Sequence, residues 1–176
     1  MQQIYLTGAN ATQVAARLFH ALNIHPAGYT VQPFALNGHP AGEALHLLTQ
    51  PPMGYANDVP YRVILAEHGE KPVTALVPDT LNRIAAPALR QVTGIGVPLL
   101  IGFADGAMLA CEDFLSAVKR ALHGGALCVT VAGEDAETVL RHASPESAQL
   151  WLDTADPDAA LAAALDEAMQ RLRFGA

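Results

Sequence analysis

The sequence predicts an α/β protein in which a mainly parallel sheet is sandwiched between helices on both faces, with an antiparallel β insertion at about residues 27–77. Two observations carry this expectation. At both ends of the chain, short apolar runs alternate with stretches of helical period, as βαβ units require. Between them lies a run of strand-like segments with no helical period, punctuated by turn residues. No linker, repeat or low-complexity tract divides the 176 residues, so residues 1–176 read as one domain with a sizeable core.

Each element has its own signal. "QIYLT" (3–7) is a short strand ending at Gly8. Val14, Leu18, Ala21 and Leu22 then recur at helical spacing, with Asn10 as N-cap and Gln13 three residues on as a capping-box partner. Strands follow at 27–36, 43–50, 61–68 and 72–77, with hairpin turns at Asn37-Gly38 and His68-Gly69 and a loop at 50–60. "DTLNRIAAPALRQV" is helical, and Pro87 is expected to break it or start a second short helix. "VPLLIGF" (97–103) and "ALCVTVAG" (126–133) are buried-type strands. Between them runs a helix with Phe114, Val118, Ala121 and Leu122 on its apolar face and Glu112, Asp113, Ser116, Lys119 and Arg120 on its polar face. A short helix at 135–143, a strand at 148–154 and a helix opened by Asp156-Pro157 and running to about Arg173 complete the chain.

Composition narrows the function. Hydrophobic residues make up 51% of the chain and charged residues 15%, which excludes the disordered class. The formal charge of −7, with ten scattered Lys and Arg, repels phosphate backbones, so no nucleic-acid partner is expected. The start lacks the basic and apolar regions of a signal peptide, and no apolar run reaches the roughly 18 residues of a membrane span; a cytoplasmic protein without membrane contact is expected. Cys111 and Cys128 read as core thiols, and none of the seven histidines joins another ligand at metal-binding spacing. No G-x-S-x-G elbow marks a serine hydrolase.

"LLIGFADGAMLACEDFLSAVKRAL" (99–122) brings a family into view. With "IYLTG" entering a helix, "AGYTV" after that helix, and "TLNRIAAPALRQV", it resembles the cancer-related nucleoside-triphosphatase family of P-loop, RecA-like proteins. The stretch from residue 80 to 122 carries the most specific likeness, through Leu99–Ile101, Gly106, Met108 and Phe114; the rest matches by pattern. The resemblance implies a P-loop fold and hydrolysis of nucleoside triphosphates with Mg²⁺. The residues depart from it where the chemistry sits. A P-loop needs G-x-x-x-x-G-K-[ST], so that backbone N–H groups wrap phosphate, Lys neutralises it and a hydroxyl holds Mg²⁺. From Gly8 this chain has Gln13, Val14 and Ala15 at the Gly, Lys and Ser/Thr positions, and no Lys precedes Lys71. Arg17 lies a turn too deep to substitute. The metal-associated Asp and the water-activating Glu fall at Phe103 and Ala104.

Phosphoryl transfer is catalysed by positioning and charge, so losing the cation, the metal ligand and the base together removes nearly all of it. A catalytically silent relative that acts as a binding or regulatory protein is therefore expected, with a protein partner or a second copy of itself, and with no resident cofactor or metal. The residues left at the vestigial nucleotide site are Gly8, Asn10, Thr12, Gln13, Asp105 and Gly106. Each has a plainer role as well: Asn10, Thr12 and Gln13 open an ordinary helix, and Asp105 caps the helix that follows. The alternative is a remodelled enzyme or nucleotide-binding protein using ATP or GTP with Mg²⁺ through Thr12, Asp105 or Asp58. A third reading has Val14, Phe103 and Met108 exposed together as a binding patch.

Overall fold

The structure, a computed structural model, describes residues 3–49, 54, 56–66, 71–144 and 149–174. The elements run β1 (Gln3–Thr7), α1 (Ala11–Leu22), β2 (Ala27–Leu36), β3 (His39–Leu47), β4 (Asp58–Leu65), β5 (Val73–Leu76), α2 (Pro78–Thr80), a π-helical turn (Leu81–Ala85), α3 (Ala86–Val92) and β6 (Leu99–Ala104). They continue with α4 (Gly106–Leu109), α5 (Glu112–Leu122), β7 (Cys128–Ala132), α6 (Ala136–Ala143), β8 (Gln149–Asp153) and α7 (Pro157–Phe174). Among the described residues the strands form one sheet in the order β5-β4-β3-β2-β6-β7-β1-β8. From β2 to β8 every pairing is parallel, and from β2 to β5 every pairing is antiparallel.

β2 belongs to both halves, which corrects the expectation of an insertion beginning at residue 27. Ala27–Tyr29 pair with Leu99–Ile101 in the parallel half, while the rest of β2 runs on as the first arm of a hairpin with β3. The turn is Asn37-Gly38, both at positive φ (51° and 80°), the geometry that lets two residues reverse a twisted hairpin. That tight turn starts β3 at His39, four residues before its expected start. β4 likewise begins at Asp58, inside the expected 50–60 loop, where it pairs with His46. Residues 50–53 and the His68-Gly69 turn lie outside the described residues.

The inner parallel strands β1, β6 and β7 are mostly apolar because both of their faces are covered. In β1, Ile4 and Leu6 face the layer of α1 and α7, while Tyr5 faces the layer of α3, α5 and α6. Leu100 opposes Leu99 and Ile101 in the same way, and Val129 and Val131 oppose Cys128. α7 meets the first layer through Ala160, Ala164 and Ala168, each at most 4% exposed, one small residue per turn. α5 buries Phe114, Val118, Ala121 and Leu122 as its pattern predicts, with Glu112 and Asp113 in its first turn and Lys119 and Arg120 in its last, complementing the helix dipole.

Pro87 sits in the first turn of α3, starting the second short helix as expected. The preceding turn widens to π geometry over Leu81–Ala85, and Ala86 donates to the Leu81 carbonyl. The missing Pro87 N–H and its ring are thereby absorbed without a gap. Asp156 accepts from the Ala159 N–H and Pro157 holds the first position of α7, as expected. No helix among the described residues is long and apolar enough to cross a membrane.

Candidate functional site

Strands β6, β7 and β1 end side by side, and open parallel sheets bind ligands in the crevice beyond such carboxyl ends. A cavity of about 570 Å³ lies there, lined by Thr7, Gly8, Ala9, Thr12, Phe103, Val131, Ala132, Gly133, Glu134, Asp135 and Glu137. Of the sequence-predicted residues, it gathers Gly8 and Thr12.

The β1–α1 connection is Gly8-Ala9-Asn10, only three residues long. Gly8 takes φ of 93°, and the loop is fastened from behind by the β8–α7 connection. The Thr154 hydroxyl and N–H both donate to the Thr7 carbonyl, at 2.7 and 2.9 Å. Asn10 starts α1 but makes no side-chain cap, correcting the capping-box expectation; its amide donates instead to the Thr154 carbonyl at 2.9 Å. The Ala11 N–H turns back onto the Gly8 carbonyl. The loop is short, and the first helical N–H is already bonded within it. Gln13 points to solvent, and Val14 fills the core at 0% exposure.

The end of β6 is equally occupied. Ala104 is buried, and the half-buried Phe103 ring lies over Gly133, where an added Cβ would come 2.5 Å from the ring. Asp105 caps α4 by accepting from the Met108 N–H at 2.9 Å, its plainer expected role. It also receives the Arg62 guanidinium at 2.5 Å. Arg62 reaches Glu43 at 3.4 Å, and the Tyr61 hydroxyl donates to the same Glu43 carboxylate at 2.9 Å. Tyr29 donates to the Phe103 carbonyl at 2.7 Å. Burial pushes both phenols up, Tyr61 with help from Glu43, so they stay neutral donors. Gly106 packs its backbone against Asp135, where a Cβ would sit 2.8 Å from the Asp135 Cβ, and donates its N–H to the Glu134 carbonyl.

Arg62, Glu43 and Tyr61 escaped the sequence reading because a β-bulge brings them here. Pairing jumps from Ala44–Pro60 to Glu43–Arg62, leaving Tyr61 as the extra residue and re-aiming the side chains around it. Proline at such a point sacrifices no regular ladder bond. Glu134, Asp135 and Glu137 were missed too, although their place directly after a buried strand was a readable signal. Asp58 lies elsewhere on the insertion, held by His46 and Gln32. Val14 and Met108 are both 0% exposed, so the expected patch with Phe103 does not form; they fill the core. Both cysteines are buried, and Cys128 is pushed up to about 12 by burial. The described residues hold no group of three or more His, Cys, Asp or Glu suited to a metal.

This arrangement of sheet and helices is a P-loop NTPase-like α/β fold. Among solved structures it is similar to THEP1 from the hyperthermophile Aquifex aeolicus, with a TM-score of 0.66 over 94% of this chain and 98% of that one, at 12% identity. No family model and no curated protein matches the sequence.

Proposed function

We propose that this chain is a degenerate relative of the cancer-related nucleoside-triphosphatases which no longer hydrolyses nucleotide and acts as a binding or regulatory protein. The observation that supports this most is the inverted charge of the crevice. Its described lining contains three carboxylates, Glu134, Asp135 and Glu137, and no Lys or Arg. A triphosphate placed there meets like charge with no fixed cation to offset it, and Phe103 stands where a metal ligand would be needed. The nearby guanidinium of Arg62 is engaged by Asp105 and Glu43, so it lends no positive field to the crevice.

A protein partner or a second copy of the chain would reach such a molecule through another surface, since the residues replacing the catalytic groups are mostly buried. Leu36, Leu65 and Val73 on the insertion, each more than half exposed, offer one. The test is phosphate release from ATP, GTP, CTP and UTP with Mg²⁺. Turnover at the level of buffer alone supports the reading. Turnover that disappears in Thr12→Ala or Asp105→Asn overturns it in favour of a remodelled enzyme.

A further inference from the structure

A second cavity, of about 320 Å³, runs beside α1 over β6 and β2. Its floor is low for a reason of backbone packing. Gly102 can carry no side chain, because a Cβ would fall 2.5 Å from the Tyr29 carbonyl oxygen and 2.6 Å from the Thr30 Cα. α1 and α7 cover the sheet beyond β6, and the space left is walled by Ala16, Phe19, Leu48 and Leu100. Its size is at the lower end of the roughly 300–1,000 Å³ of small-molecule sites, and apolar walls with a polar rim are their usual lining.

Thr12 and Val131 line this cavity and the acidic crevice alike, so the two adjoin at the first turn of α1. Glu134 and Asp135 make no ion pair among the described residues, whereas Glu137 is held by Arg141 at 2.7 Å. No Lys or Arg lines the described part of either cavity. We propose that the two cavities form one site for a small amphiphilic cation, its apolar body between α1 and β6 and its ammonium group beside Glu134 and Asp135. Charge selects the occupant: the same body carrying a carboxylate or phosphate would set like charges together. The acidic half of this proposal rests on the crevice being free of phosphate; the apolar half stands without that reading.

The experiment titrates the full chain with phenylbutylammonium, phenylbutanol and phenylbutanoate, three probes of one apolar body, followed by backbone amide chemical shifts. The ammonium probe is expected to bind about tenfold more tightly than the alcohol, and the carboxylate more weakly than either. Ala16→Trp, which fills the apolar cavity from a partly open helix position, should abolish binding of all three; Leu48→Trp does the same from the opposite wall should the first variant melt early. Glu134→Gln with Asp135→Asn should lower the ammonium affinity to that of the alcohol and leave the alcohol unchanged. Equal affinities for the ammonium and carboxylate probes, no saturable binding of the ammonium, or binding indifferent to both tryptophans overturns the proposal. Nucleotide hydrolysis, assayed separately, overturns the preceding reading and with it the acidic half of this one, while the two tryptophan variants still test the apolar half.

Discussion

At the residue scale, single side chains and single glycines decide how the sheet beside the crevice holds together. Asp105 is committed twice, as the cap of α4 and as the partner of Arg62, and both side chains are under 20% exposed. Asp105→Ala removes the cap and leaves a half-buried guanidinium short of its nearest anion, so urea denaturation should show a loss of about 2–3 kcal/mol. Gly28 shows the same economy in the backbone. Its φ is 104° and a Cβ would meet the Leu100 carbonyl oxygen at 2.2 Å, so Gly28→Ala should lose about 2–4 kcal/mol in the same measurement. Cys128 gives a pH dependence. Unfolding releases its thiol, and the buried Tyr5, Tyr29 and Tyr61 phenols, to water, where they ionise at their ordinary values; in the fold all four are raised, Cys128 from 9.0 to about 12. The unfolded chain therefore sheds protons first as pH climbs past 9, and stability falls from there upward while remaining complete below. Urea midpoints measured from pH 8 to 11 should decline steadily, and a flat profile would count against this burial.

At the scale of elements, the loop from β1 to α1 shows best how local structure was remade. Three residues make the whole connection, and the β8–α7 connection holds them through Thr154. Asn10→Ala should cost about 1 kcal/mol by removing the bond to the Thr154 carbonyl, visible as a lower melting temperature with α1 intact by circular dichroism. Much of this layout was legible. The bounds of β1 and the start of α7 follow from an apolar run ended by Gly8 and from Asp156-Pro157, because these signals are local and no tertiary contact competes with them. Less legible were the elements whose limits depend on a partner. β3 and β4 start earlier than their apolar runs because cross-strand pairing with β2 and β3 extends them through polar residues such as His39 and Asp58. Pro87 was read correctly as the start of a second short helix, whereas nothing in the local sequence announces the π turn that joins it to the helix before.

At the scale of the whole molecule, one sheet joins a parallel half that makes the crevice to an antiparallel half that reaches back to the end of β6. Arg62 is the link, sent from the insertion by a bulge to the carboxylate at the end of β6. The sequence showed directly that no Lys precedes Lys71 and that apolar Phe103 and Ala104 end the β6 run, since these are read position by position. It hid the engagement of Asp105, because a contact between residues 62 and 105 depends on register far along the chain. The described lining of the crevice presents carboxylates where a triphosphate needs positive charge. Thermal unfolding of the protein with millimolar ATP and GTP, each with Mg²⁺, tests it most directly, because a ligand at about 100 times its Kd adds roughly 2.7 kcal/mol to the stability of the state it binds. Melting curves that superimpose on the ligand-free curve are the expected result. An upward shift that requires the triphosphate, and is absent with Mg²⁺ alone, would contradict it.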